Sequence, residues 1–121
     1  MSNLLSLTRN AETNKTGFSY NLNTGDEAPS HGYMVSMEGH ETKVDEGQDL
    51  VQQTKIYIMF NADTLYDGEV YLGCWWDPET RAWYLDMSLH FETKEEAMAY
   101  GLRENQRSIW DLENDESINL S

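Results

Sequence analysis

Apolar and polar residues alternate between Gly17 and Thr24 in the order Phe18-Ser19-Tyr20-Asn21-Leu22-Asn23, the two-residue period of a strand with one buried face. Turn formers, Thr24-Gly25-Asp26-Glu27-Ala28-Pro29-Ser30, separate it from a short strand at Tyr33 to Met37. The two segments are predicted to pair as a hairpin with a long loop. From Asp45 to Tyr66, Val51, Thr54, Ile58, Ala62 and Leu65 recur at helical spacing, while Ile56-Tyr57-Ile58-Met59-Phe60 is a β-prone run. Roughly twenty residues without Gly or Pro favour a helix here, with strand as the competing reading for 54–60.

The clearest pattern lies between Gly68 and Phe91, where two runs flank Asp77-Pro78-Glu79-Thr80, a type I turn with Pro at its second position. A hairpin pairing Trp76 with Arg81 sets Cys74 opposite Trp83, Leu72 opposite Leu85 and Val70 opposite Met87, all on a face predicted to be core. Tyr71, Gly73, Trp75, Ala82, Tyr84 and Asp86 then share the other face. After Phe91, Thr93-Lys94-Glu95-Glu96 is a capping box that opens a helix. Met98, Leu102, Ile109 and Leu112 continue its stripe, interrupted at Asn105. Gly101 inside that helix implies close approach of another group, for which the Trp83 ring is the candidate.

These elements predict an α+β fold, a small antiparallel sheet of two hairpins packed against one or two helices. The 121 residues, with 14 aromatics among them, suffice for one domain, 1–121, with one core. Residues 1–14 and 113–121 are expected to be flexible. The single cysteine, Cys74, fits a reducing compartment, and no stretch resembles a signal peptide or a membrane span. The expected location is cytoplasmic.

Charge changes the picture more than any motif. The chain carries −14 at pH 7, and residues 61–121 hold fourteen of its 22 acids. Such a field repels nucleic acid and anionic lipid and attracts basic partners. Exposed Trp75, Trp76 and Tyr84 could stack on bases, but eight scattered Lys and Arg supply no basic groove.

Catalytic and metal patterns are weak. Cys74 with His31, His40 or His90 offers a thiol and three bases, but a mid-strand thiol facing the core is inert. Glu38, His40 and Glu41 are potential metal donors, yet the chain lacks a second His at helical spacing, a Cys pair and a calcium-loop pattern. Asp86 with Glu69 or Glu92 forms a possible carboxylate pair, which a glycosidase would have to set across a deep cleft; a hydrogen bond from Asp86 to a Tyr or Trp is the simpler role. No phosphate-binding glycine pattern is present. No metal and no cofactor are expected.

The acids themselves remain. Glu95, Glu96, Glu104, Asp111, Glu113, Asp115 and Glu116 run along or after the last predicted helix, and a row of carboxylates can imitate phosphates. Trp110 beside them suits an interface anchor. Three stretches, Gly32-Tyr33-Met34-Val35-Ser36-Met37-Glu38-Gly39-His40-Glu41, Leu72 to Asp86, and Glu104-Asn105-Gln106-Arg107-Ser108-Ile109-Trp110-Asp111, resemble small acidic uncharacterised accessory proteins of bacteriophages and mobile elements. The resemblance implies a protein acting in a bacterial host's cytoplasm and carries no functional residue with it.

The expectation is therefore a non-enzymatic acidic binding protein, a phage-encoded inhibitor occupying the basic nucleic-acid-binding groove of a host protein in the manner of a DNA mimic. Glu95, Glu96, Glu104, Trp110, Asp111, Glu113, Asp115 and Glu116 would meet the partner. The alternative is a small-molecule-binding domain using Tyr71, Trp75, Tyr84 and Asp86. A virion structural protein is a third reading.

Overall fold

A computed structural model describes residues 2–37 and 39–120. The described residues form α1 (Ser2–Asn14), β1 (Phe18–Asn21), β2 (Asp26–Glu27), β3 (Tyr33–Ser36), β4 (Thr42–Asp45), α2 (Leu50–Phe60), α3 (Ala62–Leu65), β5 (Val70–Asp77), β6 (Ala82–Phe91), α4 (Lys94–Arg103), β7 (Ser108–Asp111) and β8 (Glu116–Asn119). The fold is α+β, with eight strands in one antiparallel sheet ordered β2-β1-β5-β6-β3-β7-β8, and β4 also paired to β6.

The central hairpin forms with Asp77 opposite Ala82, Trp76 opposite Trp83, Cys74 opposite Leu85 and Val70 opposite Leu89. The predicted register is two residues off. Arg81 takes a left-handed φ of 53° and joins the loop, where Asp77 accepts from the Glu79 amide and the Thr80 hydroxyl. A shift of two preserves parity, so the predicted sorting of faces survives. Val70, Leu72, Cys74, Trp83, Leu85 and Met87 are all buried, in one cluster with Leu4 and Ala11 of α1, Leu50 and Tyr57 of α2 and Leu65 of α3. A second cluster joins Ala97 of α4 to Val35 and Ile109. The helices thus cover one face of the sheet.

Several predicted pairings are corrected. The segments at 18–24 and 33–37 do not form a hairpin with each other. β1 pairs with β5, and β3 pairs with β6 and β7, because the two long central strands offer each short segment a longer apolar edge. The helix predicted over 45–66 begins only at Leu50, where Asp49 caps the Gln52 amide. Asp45 instead ends β4, Thr42–Asp45, which pairs along β6. Residues 54–60 are helical, and the helix breaks at Asn61.

The helix predicted over 93–112 starts as expected, with the Thr93 hydroxyl accepting from the Glu96 amide at 3.3 Å. It stops at Arg103. Asn105 adopts a φ of 58°, and the Gln106 and Asn105 amides donate back to the Gly101 and Leu102 carbonyls at 2.8 and 3.2 Å, the paired bonds of a Schellman end. Ile109 and Leu112, expected on the helix stripe, belong to β7 and the turn after it. Gly101 is indeed a point of close approach, but of different groups: an added Cβ would lie 2.6 Å from Leu120 Cδ1 and 3.2 Å from Ile109 Cγ2. Both ends carry regular structure. Residues 2–14 form α1, with Leu4 and Ala11 buried, and 116–119 form β8 against β7.

Candidate functional site

The face opposite the helices is bare. It carries Trp75, Tyr84, Asp86 and Ser88 of the central hairpin, Met34 and Ser36 of β3, and Trp110 of β7. A trough of about 930 Å³ runs along it, lined from Phe18 and Ser19 on β1 to Ser117 on β8. Six neighbouring strands at roughly 4.8 Å spacing make it on the order of 25 Å long.

Strand β6 sets the trough's centre. Its first half pairs with β4 and its second half with β3 along the same edge. Between the two paired stretches the ladder is broken among the described residues, where the Met37 amide donates to the Met87 carbonyl at 2.8 Å. Asp86 faces this break, with Ser36 arriving on one side and Glu41 returning on the other. The Ser36 hydroxyl donates to Asp86 Oδ2 at 2.8 Å and the Ser88 hydroxyl to Oδ1 at 3.4 Å, and the Trp75 indole also donates to this carboxyl. Gly73, across the ladder, makes room: a Cβ there would come within 2.1 Å of Asp86 Oδ1. Only Gly lets β5 carry this carboxyl against its backbone.

Asp86 is 6% exposed, and burial raises its pKa against the lowering effect of its three donors. Its field spreads. It adds to partial burial in raising Glu41, and to burial in pushing the Cys74 thiol up to about 12. The Tyr57 phenol is raised likewise by burial, Asp86 and Glu41. Trp75 is 43% exposed and stacks on Tyr84 with ring centroids 4.6 Å apart. Trp110, at 40% exposed, stands in the same trough on β7.

Of the suggested set, Trp75 and Asp86 line the trough, Tyr84 stacks on Trp75 without lining it, and Tyr71 shares the face without lining it. The structure does not pair Asp86 with Glu69 or Glu92, the latter reaching His31 Nε2 at 3.2 Å. The carboxylate beside Asp86 is Glu41, which spacing alone did not single out because the break between β3 and β4 makes the contact. Ser36 was missed for the same reason, whereas Ser88 stands two residues from Asp86 on the same face of β6, where the alternation could have shown it. Among the described residues no group of three His, Cys, Asp or Glu stands together to hold a metal. Glu38 of the suggested metal cluster lies outside the described residues. Cys74 sits on the helix-covered face, protonated at neutral pH, and His90 contacts the His31 carbonyl at 2.9 Å.

The acidic row is redistributed. Glu95 and Glu96 occupy the first turn of α4 and Glu104 caps its other end. Asp111 is 5% exposed and turned inward to its own loop. It accepts from the Glu113 and Asn114 amides and from Asn114 Nδ2 at 2.8 Å. Those bonds, together with Lys94 nearby, lower its pKa. It is a loop-builder and not a docking residue. Glu113, Asp115 and Glu116 stand exposed around the β7–β8 turn, and Asp115 borders the trough with Trp110.

Comparison with protein-family models, curated proteins and solved structures finds no match for this chain.

Proposed function

We propose that this is a non-enzymatic binding protein that holds a basic segment of a partner protein in the trough on its bare sheet face. The observation that carries the reading is the trough's lining. Trp75 and Trp110 stand exposed there with four acids, Glu27, Glu41, Asp86 and Asp115, against one base, Lys15. That base is already engaged, 3.8 Å from Glu46 and over the Trp76 and Trp83 rings. Exposed Trp side chains on a rigid strand pair are favoured interface anchors, and acids around them steer a cationic partner inward.

In this reading the trough and the exposed acids of the β7–β8 turn form one docking surface, and the partner is a basic nucleic-acid-binding protein. The phage or mobile-element setting implied by resemblance makes that partner a host protein in the bacterial cytoplasm, with this chain as its inhibitor. The test is a tryptophan-fluorescence titration with polylysine from about 50 mM to about 500 mM salt. Saturable binding that weakens steeply with salt and is lost in Trp75→Ala and Trp110→Ala supports the reading. Salt-sensitive binding untouched by either substitution would mean charge attraction without the trough, and the proposal would fail.

A second reading, the trough as a small-molecule pocket, is favoured by the Ser36 and Ser88 hydroxyls gathered on Asp86. A metabolite that raises the melting temperature of the wild type, and not of Asp86→Ala, would support it.

A further inference from the structure

Asp86 is buried to more than nine-tenths, yet its partners are two serine hydroxyls and an indole N–H. Among the described residues no Lys, Arg or His reaches it. A buried carboxyl is ordinarily paired with a cation or with a metal. Here the charged group that shares the trough and feels its field is another acid, the exposed Glu41. The two repel, and they line the trough together with Trp75, whose ring is 43% exposed and is backed on one side by Tyr84 at an interplanar angle of 20°. Two carboxyls below and an aromatic face beside them are the surroundings that a guanidinium or ammonium group seeks, through charge-assisted hydrogen bonds and cation–π contact.

The smaller hollow between α1 and the β1–β2 turn, about 540 Å³ and lined by Asn3, Ser6, Asn10 and Glu27 among others, holds no buried carboxyl. The exposed Met59 and Phe60 at the end of α2 have nothing beside them that specifies a partner. The Asp86 site has both shape and charge.

We infer that Asp86, Glu41 and the Trp75 ring form a subsite for one cationic side chain of the docked segment, an arginine by preference. Resting on the docking reading above, it names what that reading leaves open: the single contact that fixes the segment's register in the trough. The planar guanidinium suits the site better than an ammonium, since it can bridge Asp86 and Glu41 while stacking on Trp75. The occupant is a protein segment because the trough, on the order of 25 Å long, matches about seven extended residues at 3.3 Å each, whereas an amino acid alone would fill only its centre.

The probe is a blocked octa-arginine peptide, with octa-lysine and arginine amide as comparators, measured by calorimetry at low salt. Asp86→Asn is expected to weaken octa-arginine about ten- to hundredfold, and Glu41→Gln several-fold. Glu79→Gln, which removes one charge at the distal hairpin loop, is expected to change it less than twofold. Thermal melts establish that each variant is folded, and Glu41→Gln, at an exposed position, serves if Asp86→Asn is not. Arginine should exceed lysine by several-fold in the wild type and lose that margin in both trough variants.

If octa-arginine binds the wild type and all three variants equally, the subsite is wrong while the docking surface stands. If it does not bind the wild type at all, the docking reading falls with it. Arginine amide binding as tightly as the peptide would overturn the protein segment in favour of a small-molecule site.

Discussion

Trp75 and Trp83 sit on adjacent strands of one hairpin, yet the first is 43% exposed and the second 0%. The difference is parity. Trp83 points to the face on which α1, α2 and α3 lie, among Leu72, Leu85 and Met87, and Trp75 points to the face that no helix covers. One face hides its aromatics to make a core, and the other keeps them at the surface beside a buried acid. The same chemistry, a large ring on a strand, is structural on one side of the sheet and available for contact on the other.

Truncation separates the two faces most sharply. Trp83→Ala should cost about 3–5 kcal/mol, the usual loss for a fully enclosed ring. Trp75→Ala should cost less, about 1–2 kcal/mol, because it takes one donor from buried Asp86 and opens no cavity in the core, while removing the binding described above. Urea denaturation of both variants decides it, and equal losses would mean that the bare face is covered in solution.

Glycines sharpen the contrast at smaller scale. Gly73→Ala puts a Cβ 2.1 Å from the carboxyl oxygen of buried Asp86, which is held by three donors and cannot swing away. We expect a loss of about 1–3 kcal/mol, partly recovered in the Gly73→Ala/Asp86→Ala double variant, a coupling that a double-mutant cycle reads directly. On the helix side, Gly101→Ala meets the tip of Leu120 at 2.6 Å. That methyl belongs to a flexible side chain near the chain end, and alanine gains about 1 kcal/mol of helix propensity. The net change should stay within about 1 kcal/mol of zero. A large loss at Gly101 and none at Gly73 would reverse the assignment of the rigid side.

Parity was legible in the sequence and cover was not. Alternation from Val70 to Met87 sorts the hairpin faces whichever even register forms, so the core list survived a two-residue error in pairing. The alternation marks the face that needs cover but not which elements supply it, because α1 was read as a flexible end and the helix over 45–66 was started at the last residue of β4. The stop at Asn105 had a visible signal, a residue that tolerates left-handed backbone. The spacing of Ile109 and Leu112 to Met98 and Leu102 fits a helix equally well, and only the β7–β8 pairing decides against it. Asp86 was noticed for its tyrosine and tryptophan neighbours. Its link to Glu41, 45 positions away in sequence, depends on a strand break that local patterns do not encode.

The finest comparison is between two carboxyls on opposite faces. Asp86 and Asp111 are 6% and 5% exposed, but the first is raised by burial and the second lowered by the bonds of its own loop. Their contributions to stability run in opposite directions with pH. For Asp111 the folded pKa lies below the unfolded value of about 3.9, so its stabilisation is complete above that value and lost as pH falls through the folded pKa. For Asp86 the folded pKa lies above the unfolded value, so the native state is favoured while the group is protonated and loses ground as pH rises from about 3.9 through the folded pKa. Glu41 on one side and the neutral Tyr57 and Cys74 on the other offer it no positive charge. At pH 7 Asp111→Asn should therefore melt below the wild type and Asp86→Asn at or above it, and both gaps should narrow towards pH 3. Melting curves across that range check the pair. Occupation of the trough by octa-arginine should raise the wild-type midpoint at pH 7 more than that of Asp86→Asn, since the variant leaves Glu41 as the subsite's one carboxyl.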